Sequence, residues 1–151
     1  LGIQTTRAQK GNCAFVVDRR CHWEMKMWSP ESYLAAHHDF LNGKIKNLDV
    51  EKDTNYEAAT AAIVDKNSII GADCIIKPNA RVINSILGAG VHVEEKAVIE
   101  NSIIWAHTRV SNSAKIQNAI IGRSCYIGKN ATVSDGAVLG DKTSLTDYTK
   151  V

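Results

Sequence analysis

The sequence has 151 residues and a formal net charge of +2, with 18 Lys and Arg residues against 16 Asp and Glu residues. A chain of this length predicts one domain, or one small domain with an appendage. No block of Lys and Arg stands out, so the charge gives no support for nucleic-acid binding. The longest uninterrupted apolar runs have four to five residues, too short to span a membrane.

The number and spacing of the cysteines indicate the cellular compartment. The chain has Cys13, Cys21, Cys74 and Cys125 and no C-x-x-C pair, which argues against a zinc site. The N-terminal residues lack a basic segment followed by an apolar stretch, so the sequence indicates no secretory signal. We therefore expect a cytoplasmic protein with free thiols, without a metal or a cofactor.

Residues 1–44 are predicted to form an adaptor with one helix at about residues 30–42. The segment CAFVV (13–17) predicts a strand, and residues 1–22 otherwise carry no motif that indicates a role. The apolar positions of the helix follow a helical spacing at Tyr33, Leu34, His37, Phe40 and Leu41.

The ends of this helix carry capping residues. Ser29 suits the N-cap, Pro30 suits the first helical position, and Gly43 can end the helix. The polar residues 45–62 are predicted to be a linker that enters the first turn of the next domain at residue 63.

From residue 63 onward, aliphatic residues recur every six positions in sets of three. These positions are Ile70, Ile76, Val82, Leu87, Val93, Ile99, Ile104, Val110, Ile116, Ile121, Ile127, Val133, Leu139, Leu145 and Val151. All fifteen are Ile, Leu or Val, and four residues after most of them the side chain is small. We call the fifteen positions the grid.

The grid has a longer period of 17 residues, which becomes 18 in the last repeat. Three groups of six make one coil, and the missing residue falls at a corner that holds Asn84, Asn101 and Asn118, with Asp135 in the longer repeat. Asn and Asp tolerate left-handed backbone conformations, so they suit a tight corner.

This period predicts an all-β domain, a parallel β-helix of about five coils over residues 63–151, with the grid pointing inward. Strands of successive coils stack about 4.8 Å apart. A run of unrelated short strands in a sandwich is the alternative, but it gives no reason for a fixed period. Cys74 and Cys125 are three coils apart, so about 14 Å of stacking separates them. A disulfide needs Cα atoms closer than about 7 Å, so we expect core thiols.

The pattern aliphatic–Gly–x–x–small–x resembles that of the hexapeptide-repeat proteins, which implies a left-handed parallel β-helix. A second resemblance lies in residues 23–43, WEMKMWSPESYLAAHHDFLNG. They are similar to the segment W-x-D-I-G-T-P-x-x-Y-L-x-A-N of sugar-phosphate nucleotidyltransferases of the glucose-1-phosphate and mannose-1-phosphate type. The matching residues are Trp23, Ser29, Pro30, Tyr33, Leu34 and Ala36.

The chain departs from that family in two places. The D-I-G-T residues are replaced by Met25-Lys26-Met27-Trp28, so the Asp that the resemblance would assign to metal and phosphate is missing. The Gly-rich loop G-G-x-G-x-R-L is also absent, since before residue 71 the sequence has only Gly2, Gly11 and Gly43. The chain therefore resembles the C-terminal part of a nucleotidyltransferase without its catalytic domain.

Two histidines are candidates for chemistry. Many hexapeptide-repeat proteins are acyltransferases that use a His as general base, with acyl-CoA lying between subunits, and here His92 and His107 occupy outward or corner positions. Solvated surface histidines are the plainer interpretation. The coils run without an extruded loop, and no carboxylate is placed in sequence to orient either ring.

Trp105 stands where the other coils have Gly71, Gly88, Gly122 and Gly140. Trp105, Arg109, His92 and Tyr126 are predicted to form one exposed patch, and Trp, Tyr and Arg are enriched at interface hot spots. Three interpretations stay open: a subunit interface, a small-ligand stacking site, or an isolated surface aromatic.

We expect a domain that acts in oligomerisation or regulation, as a homo-oligomer or with a partner chain that carries a catalytic domain, and that is not active alone. The alternatives are a hexapeptide-repeat acyltransferase and a pure scaffold, like the β-helix of nucleotide-exchange subunits in translation initiation.

Overall fold

The computed structural model describes the backbone of residues 4–7, 14–18 and 23–26, and all of residues 30–43 and 55–151. The chain divides into two units, Leu1–Glu51 and Lys52–Val151. Cys13, Cys21 and Ser29 lie outside the described residues, and so do most of the linker residues. No helix in the described parts of the chain is long and apolar enough to cross a membrane.

The first unit contains a small antiparallel sheet and one helix. Its strands, in spatial order, are β1 (Gln4–Arg7), β2 (Ala14–Asp18) and β3 (Trp23–Lys26). The strand predicted at 13–17 corresponds to β2, and the other two were not predicted. Helix α1 runs from Pro30 to Leu41, close to the predicted 30–42. Gly43 ends it in a left-handed conformation at φ 72°.

The second unit is a parallel β-helix of about five coils, as predicted. Its strands are β4 (Glu57–Ala58), β5 (Ile63–Val64), β6 (Ile69–Ile70), β7 (Ile75–Ile76), β8 (Arg81–Ile83), β9 (Ile86–Leu87), β10 (His92–Val93), β11 (Val98–Glu100), β12 (Ile103–Ile104), β13 (Arg109–Val110), β14 (Lys115–Gln117), β15 (Ile120–Ile121), β16 (Tyr126–Ile127), β17 (Thr132–Val133), β18 (Val138–Leu139) and β19 (Ser144–Leu145). The first of them begins at Glu57, earlier than the predicted start at residue 63.

Three flat sheets enclose the core. Face 1 contains β4, β7, β10, β13, β16 and β19; face 2 contains β5, β8, β11, β14 and β17; face 3 contains β6, β9, β12, β15 and β18. The chain visits faces 1, 2 and 3 in turn, and every stacked pair is parallel. We name the corners after the faces they join: 1–2, 2–3 and 3–1.

The grid residues form the core, as the sequence predicted. The first thirteen of them, from Ile70 to Leu139, are all less than 10% exposed. Leu145 is half-buried against the core, and Val151 is 46% exposed in the last coil. Burial of each aliphatic side chain is worth about 1.5–3 kcal/mol of transfer free energy before entropy is subtracted.

Each corner repeats one left-handed residue per coil. The 3–1 corner has Asp73, Gly90, His107, Ser124 and Lys142; the 1–2 corner has Asn79, Lys96, Ser113, Asn130 and Tyr148; the 2–3 corner has Asn84, Asn101, Asn118 and Gly136. The Asn column is therefore found where the sequence predicted it. In the 18-residue repeat, however, the left-handed residue is Gly136 (φ 79°) and not Asp135, because glycine adopts that conformation without a Cβ clash.

Side-chain ladders hold the 2–3 corner together. The Asn84 amide donates to Asn101 Oδ1 at 2.9 Å, and the Asn118 amide donates to Asp135 Oδ1. Behind this ladder, the buried hydroxyl of each Ser accepts the amide N–H one coil further on, from Ser68 to Ser85 and from Ser85 to Ser102. The ladders explain why this corner can be one residue shorter than the other two. A Ser hydroxyl accepts the backbone N–H that would otherwise need a backbone carbonyl as its acceptor.

Candidate functional site

Three of the four predicted interface residues form one outward ladder on face 1. His92 pairs in register with Arg109, and Arg109 pairs with Tyr126. Their neighbours Val93, Val110 and Ile127 point inward and are fully buried. Because side chains alternate along a strand, the three ladder residues face away from the core, and Tyr126 is 40% exposed.

The guanidinium of Arg109 has a partner on its own chain. Its Nη2 atom lies 2.7 Å from Glu94 Oε1, and the side chain of Arg109 is 59% exposed. An exposed ion pair of this kind contributes about 0–1 kcal/mol of stability. A partner molecule could therefore compete for Arg109 at little cost to the fold.

Trp105 lies at the 3–1 corner, directly after β12 on face 3. The guanidinium carbon of Arg123, one coil further on, lies 5.2 Å from the centre of the indole ring. This is a cation–π contact, worth about 0.5–1 kcal/mol at an exposed site. Sequence reasoning missed Arg123, although it is 18 residues after Trp105 and so lies on the next coil.

The glycines that share the column of Trp105 allow close approach of the next coil. A Cβ added to Gly71, Gly88 or Gly122 would lie 2.6–2.8 Å from atoms of that coil, which is shorter than a van der Waals contact. Trp105 has a Cβ in this column, and the hydrogen bonds to the next coil on either side of it, from Trp105 N to Ile121 O and from Ser124 N to Ala106 O, are each 3.0 Å long. Its indole is nevertheless 37% exposed. The fold thus gains no evident packing advantage from Trp at this position.

His107 is a corner residue with a left-handed backbone, φ 59°. Its imidazole lies against Gly90 of the preceding coil. A Cβ added to Gly90 would lie 2.7 Å from His107 Nδ1. Within residues 30–43 and 55–151, neither the His107 ring nor the His92 ring has a hydrogen-bond or ion-pair partner. A catalytic His is usually oriented by a second polar group, and the described part of the chain supplies none to either ring.

The comparison with known families assigns the repeat domain. The family model of the EIF2B subunit epsilon LbH domain matches residues 48–151, which is most of the chain. The chain belongs to this family. LbH denotes a left-handed β-helix, and we use that name for the repeat domain from here on. The match does not include residues 23–43, which carry the resemblance to the nucleotidyltransferases.

Two solved structures are similar to part of the chain. The acetyltransferase domain of PglB from Neisseria gonorrhoeae FA1090, in complex with acetyl coenzyme A, is 15% identical with a TM-score of 0.54, over 65% of this chain and 51% of that chain. The chain thus spans about half the length of that structure. A putative acetyltransferase from Bacillus cereus is 13% identical with a TM-score of 0.46, over 66% of this chain and 74% of that chain. A search of curated protein sequences finds no match.

The first of these structures shows a shared fold, the hexapeptide-repeat left-handed β-helix. The predicted handedness is therefore confirmed. At this level of identity the likeness does not extend to the acetyltransferase chemistry.

The cysteines of the LbH domain are structural. Cys74 and Cys125 are free and buried, as expected. The Sγ atom of Cys74 donates to Gly88 O, and that of Cys125 donates to Gly140 O, each at 3.1 Å. Burial raises the pKa of the Cys74 thiol, so little thiolate is available for nucleophilic attack. Thr108 makes the equivalent bond to Gly122 O at 2.8 Å.

Two further features of the described residues bear on ligand binding. No group of three or more His, Cys, Asp or Glu side chains in these ranges is arranged to hold a metal ion. A cleft of about 250 Å³ opens beside the first coil, lined by Asn55, Tyr56, Glu57, Asp73, Cys74 and Ile75. It does not include any of the predicted interface residues.

In helix α1, His37 contacts Tyr33, one turn earlier in the same helix. The His37 Nδ1 atom lies 2.8 Å from Tyr33 O. The centroids of the His37 and Tyr33 rings are 4.2 Å apart. Burial lowers the pKa of His37, and the hydrogen bond to Tyr33 opposes that shift. A half-buried ring that is held this way is poorly placed to exchange protons with a substrate.

Proposed function

We propose that the chain is an assembly or regulatory module whose LbH domain joins it to a second copy or to a partner chain that carries a catalytic domain. The observation that carries the proposal is the family match over residues 48–151. The protein named in that family is a subunit, which by definition works with other chains. A scaffold role, with no enzyme attached, is the simplest form of this proposal.

The segment at residues 23–43 favours a more specific form, in which the partner belongs to sugar-nucleotide chemistry. Its resemblance to nucleotidyltransferases is interrupted at Met25-Lys26-Met27-Trp28, and these 151 residues contain no Gly-rich phosphate loop. Nucleotidyl transfer needs backbone amides that cradle phosphates. We therefore assign nucleotidyl transfer, if the assembly performs it, to residues other than these 151.

The surface that we propose for partner contact combines the face 1 ladder with the 3–1 corner. It presents His92, Arg109 and Tyr126 beside Trp105 and Arg123. Aromatic and Arg side chains supply much of the binding energy at protein interfaces. The weak ion pair between Arg109 and Glu94 leaves the guanidinium free to exchange partners.

Acyl transfer from acyl-CoA is the second candidate. It is supported by the acetyltransferase description of the structural neighbour from Neisseria gonorrhoeae. His92 or His107 would act as the general base, and a neighbouring subunit would have to supply the group that orients the ring. The unbroken coils and the unpartnered rings in the described residues favour the assembly proposal instead.

Thermal-shift measurements with acetyl-CoA, nucleotide sugars and sugar phosphates distinguish the two candidates. We expect no shift with acetyl-CoA for the chain alone. A melting temperature raised by acetyl-CoA and not by the other ligands would overturn the assembly proposal, since a ligand that binds the folded state stabilises it. The His92→Ala and His107→Ala variants would then identify the base.

A further inference from the structure

Arg123 and Trp105 form a pair on two successive coils of the 3–1 corner. The guanidinium carbon of Arg123 lies over the indole, 5.2 Å from the centre of the ring. Both side chains are exposed. A guanidinium that lies over a ring uses its flat face for the contact, so the N–H groups at its edge remain available to acceptors.

These edge N–H groups are not used by the part of the chain that the structure describes. Within residues 30–43 and 55–151, the Arg123 side chain makes no hydrogen bond and no ion pair. Only its backbone N–H has an acceptor, Asp141 Oδ1 at 2.8 Å. Arg109 differs, because Glu94 already accepts from its guanidinium. Arg123 is therefore a cation that an aromatic ring positions and that is ready to bind an anion.

The shape of the site favours a protein over a small molecule. Arg123 and Trp105 stand on a corner of a triangular coil, which is a convex surface. Small-molecule sites are usually concave and enclose most of the ligand. The cleft beside the first coil is lined by neither residue. An exposed Trp beside an Arg on a convex surface is instead typical of the anchoring residues of a protein interface.

The charges around Arg123 favour a carboxylate over a phosphate. The carboxylate of Asp141 lies next to the Arg123 backbone and repels any anion that approaches the pair. A phosphate group carries about 1.5 to 2 negative charges, whereas a carboxylate carries one, so the phosphate is repelled more strongly. The net charge of the whole chain is only +2, which gives little long-range attraction for a polyanion.

We infer that Arg123, positioned by Trp105, binds a carboxylate side chain of a partner protein, and that an apolar side chain next to this carboxylate covers the indole. The inference rests on the assembly function proposed above and specifies the chemistry of the partner surface. A guanidinium and a carboxylate match each other as a pair of parallel hydrogen bonds. Lysine has the charge of arginine but lacks its planar fork.

Titration of the full chain with an acidic peptide tests the inference. The probe is a fluorescein-labelled peptide of Glu-Leu-Ser repeats, and its fluorescence anisotropy reports binding. The comparison ligands are the Gln-Leu-Ser analogue and a labelled single-stranded oligouridine of similar length. The variants are Arg123→Gln, which removes the charge, and Arg123→Lys, which keeps the charge without the fork. Arg81→Gln is the matched control, since Arg81 is also exposed but lies on face 2.

We expect the acidic peptide to bind the wild type with a dissociation constant of roughly 0.1–1 mM, and the Gln analogue to bind more weakly. Binding should be about fivefold weaker in Arg123→Gln, intermediate in Arg123→Lys and unchanged in Arg81→Gln. Trp105→Gly should also weaken binding, and Trp105→Phe should restore most of it, because a ring positions the guanidinium. Thermal melting of each variant verifies that it is folded.

Three results would overturn the inference: no binding of the acidic peptide to the wild type, equal binding by wild type and Arg123→Gln, or tighter Arg123-dependent binding of oligouridine, which would assign the residue to phosphate. Each of them leaves the assembly proposal standing, because a different surface can join the chain to its partner. A melting temperature raised by acetyl-CoA alone would overturn the assembly proposal whether or not the peptide binds.

Discussion

The Oγ atom of Ser102 accepts a hydrogen bond from the backbone N–H of Ala119 at 3.1 Å and donates to Glu100 O at 2.7 Å. Ser102 and Ala119 are both buried, and the bond between them joins two successive coils at the 2–3 corner. Ala119 itself has no hydroxyl. One coil later, the N–H of Ala137 therefore donates to Ser134 O within its own coil, at 3.2 Å. That coil is the 18-residue one.

Ser102→Ala should destabilise the LbH domain by about 1–3 kcal/mol, because it leaves the Ala119 N–H buried without an acceptor. In a domain of about 100 residues, each kcal/mol lowers the melting temperature by roughly 4–8 °C. Ser144→Ala on face 1 is the control, since that Ser is exposed. Equal melting temperatures for Ser102→Ala and the wild type would mean that the hydroxyl is not the acceptor that matters.

Gly122→Ala should also destabilise the domain, whereas Gly140→Ala should not. A Cβ on Gly122 would lie 2.6 Å from Asp141 Oδ1 and 2.7 Å from Asp141 N, while a Cβ on Gly140 meets no described atom within 4 Å. We expect a loss of roughly 1–3 kcal/mol for Gly122→Ala and a change between zero and a small gain for Gly140→Ala. Urea unfolding of the two variants side by side measures the difference.

Ile104→Asp should unfold the middle coils. Ile104 is 1% exposed on the inner side of face 3, and an unpaired carboxylate there would cost several kcal/mol. Ser144→Asp is the control, because its side chain points to solvent on face 1. Loss of the cooperative thermal transition in Ile104→Asp alone is the expected result. A native-like transition in that variant would show that the grid does not face the core.

Trp105→Gly should preserve the fold and weaken association with a partner. Glycine is the residue that the other coils have in this column, and the indole is not enclosed by its own chain. The expected changes are a retained thermal transition and a lower sedimentation coefficient at high concentration. Arg123→Ala removes the cation–π contact and keeps the indole, so it tests whether association depends on that contact or on the indole surface itself. Sedimentation that is identical in wild type and Trp105→Gly would remove Trp105 from any interface.

The stability of helix α1 should fall in acid because of His37. Burial lowers the pKa of this ring below its usual value of 6.5. Between the folded pKa and 6.5 the unfolded chain binds the proton more readily, so stability is greatest above pH 6.5 and is lost as pH falls through the folded pKa. Circular dichroism at 222 nm from pH 8 to pH 4 should show a larger decrease in the wild type than in His37→Gln. His92→Gln should behave like the wild type.

The fold was predictable because one physical rule repeats along the chain. The grid residues recur six positions apart within each coil, and burial in the structure follows that spacing from Ile70 to Leu139. The corner residues Asn84, Asn101 and Asn118 were also predictable, since Asn adopts left-handed φ several-fold more often than most residue types. The 18-residue repeat was not fully predictable, because Asp135 and Gly136 both suit a corner, and the structure uses glycine.

The candidate site was predictable only in part. Counting 17 residues along the sequence correctly places His92, Arg109 and Tyr126 at the same position of successive coils. The contacts of Trp105 with Arg123 and of His107 with Gly90 depend on side-chain rotamers and on how closely two coils approach, which the spacing does not specify. In the sheet formed by β1, β2 and β3, only β2 gave a sequence signal, since β1 and β3 are four residues long and lack a repeat.

The extra residue at Asp135 has a practical consequence. The coil that contains it still pairs in register with its neighbour on face 3, where Ile120 matches Val138 and Ile121 matches Leu139. The 2–3 corner thus absorbs a change in chain length without altering the sheets on either side. A short epitope or a fluorescent label grafted beside Asp135 should leave the molecule folded, which makes this corner the natural attachment point for capturing whatever the protein binds.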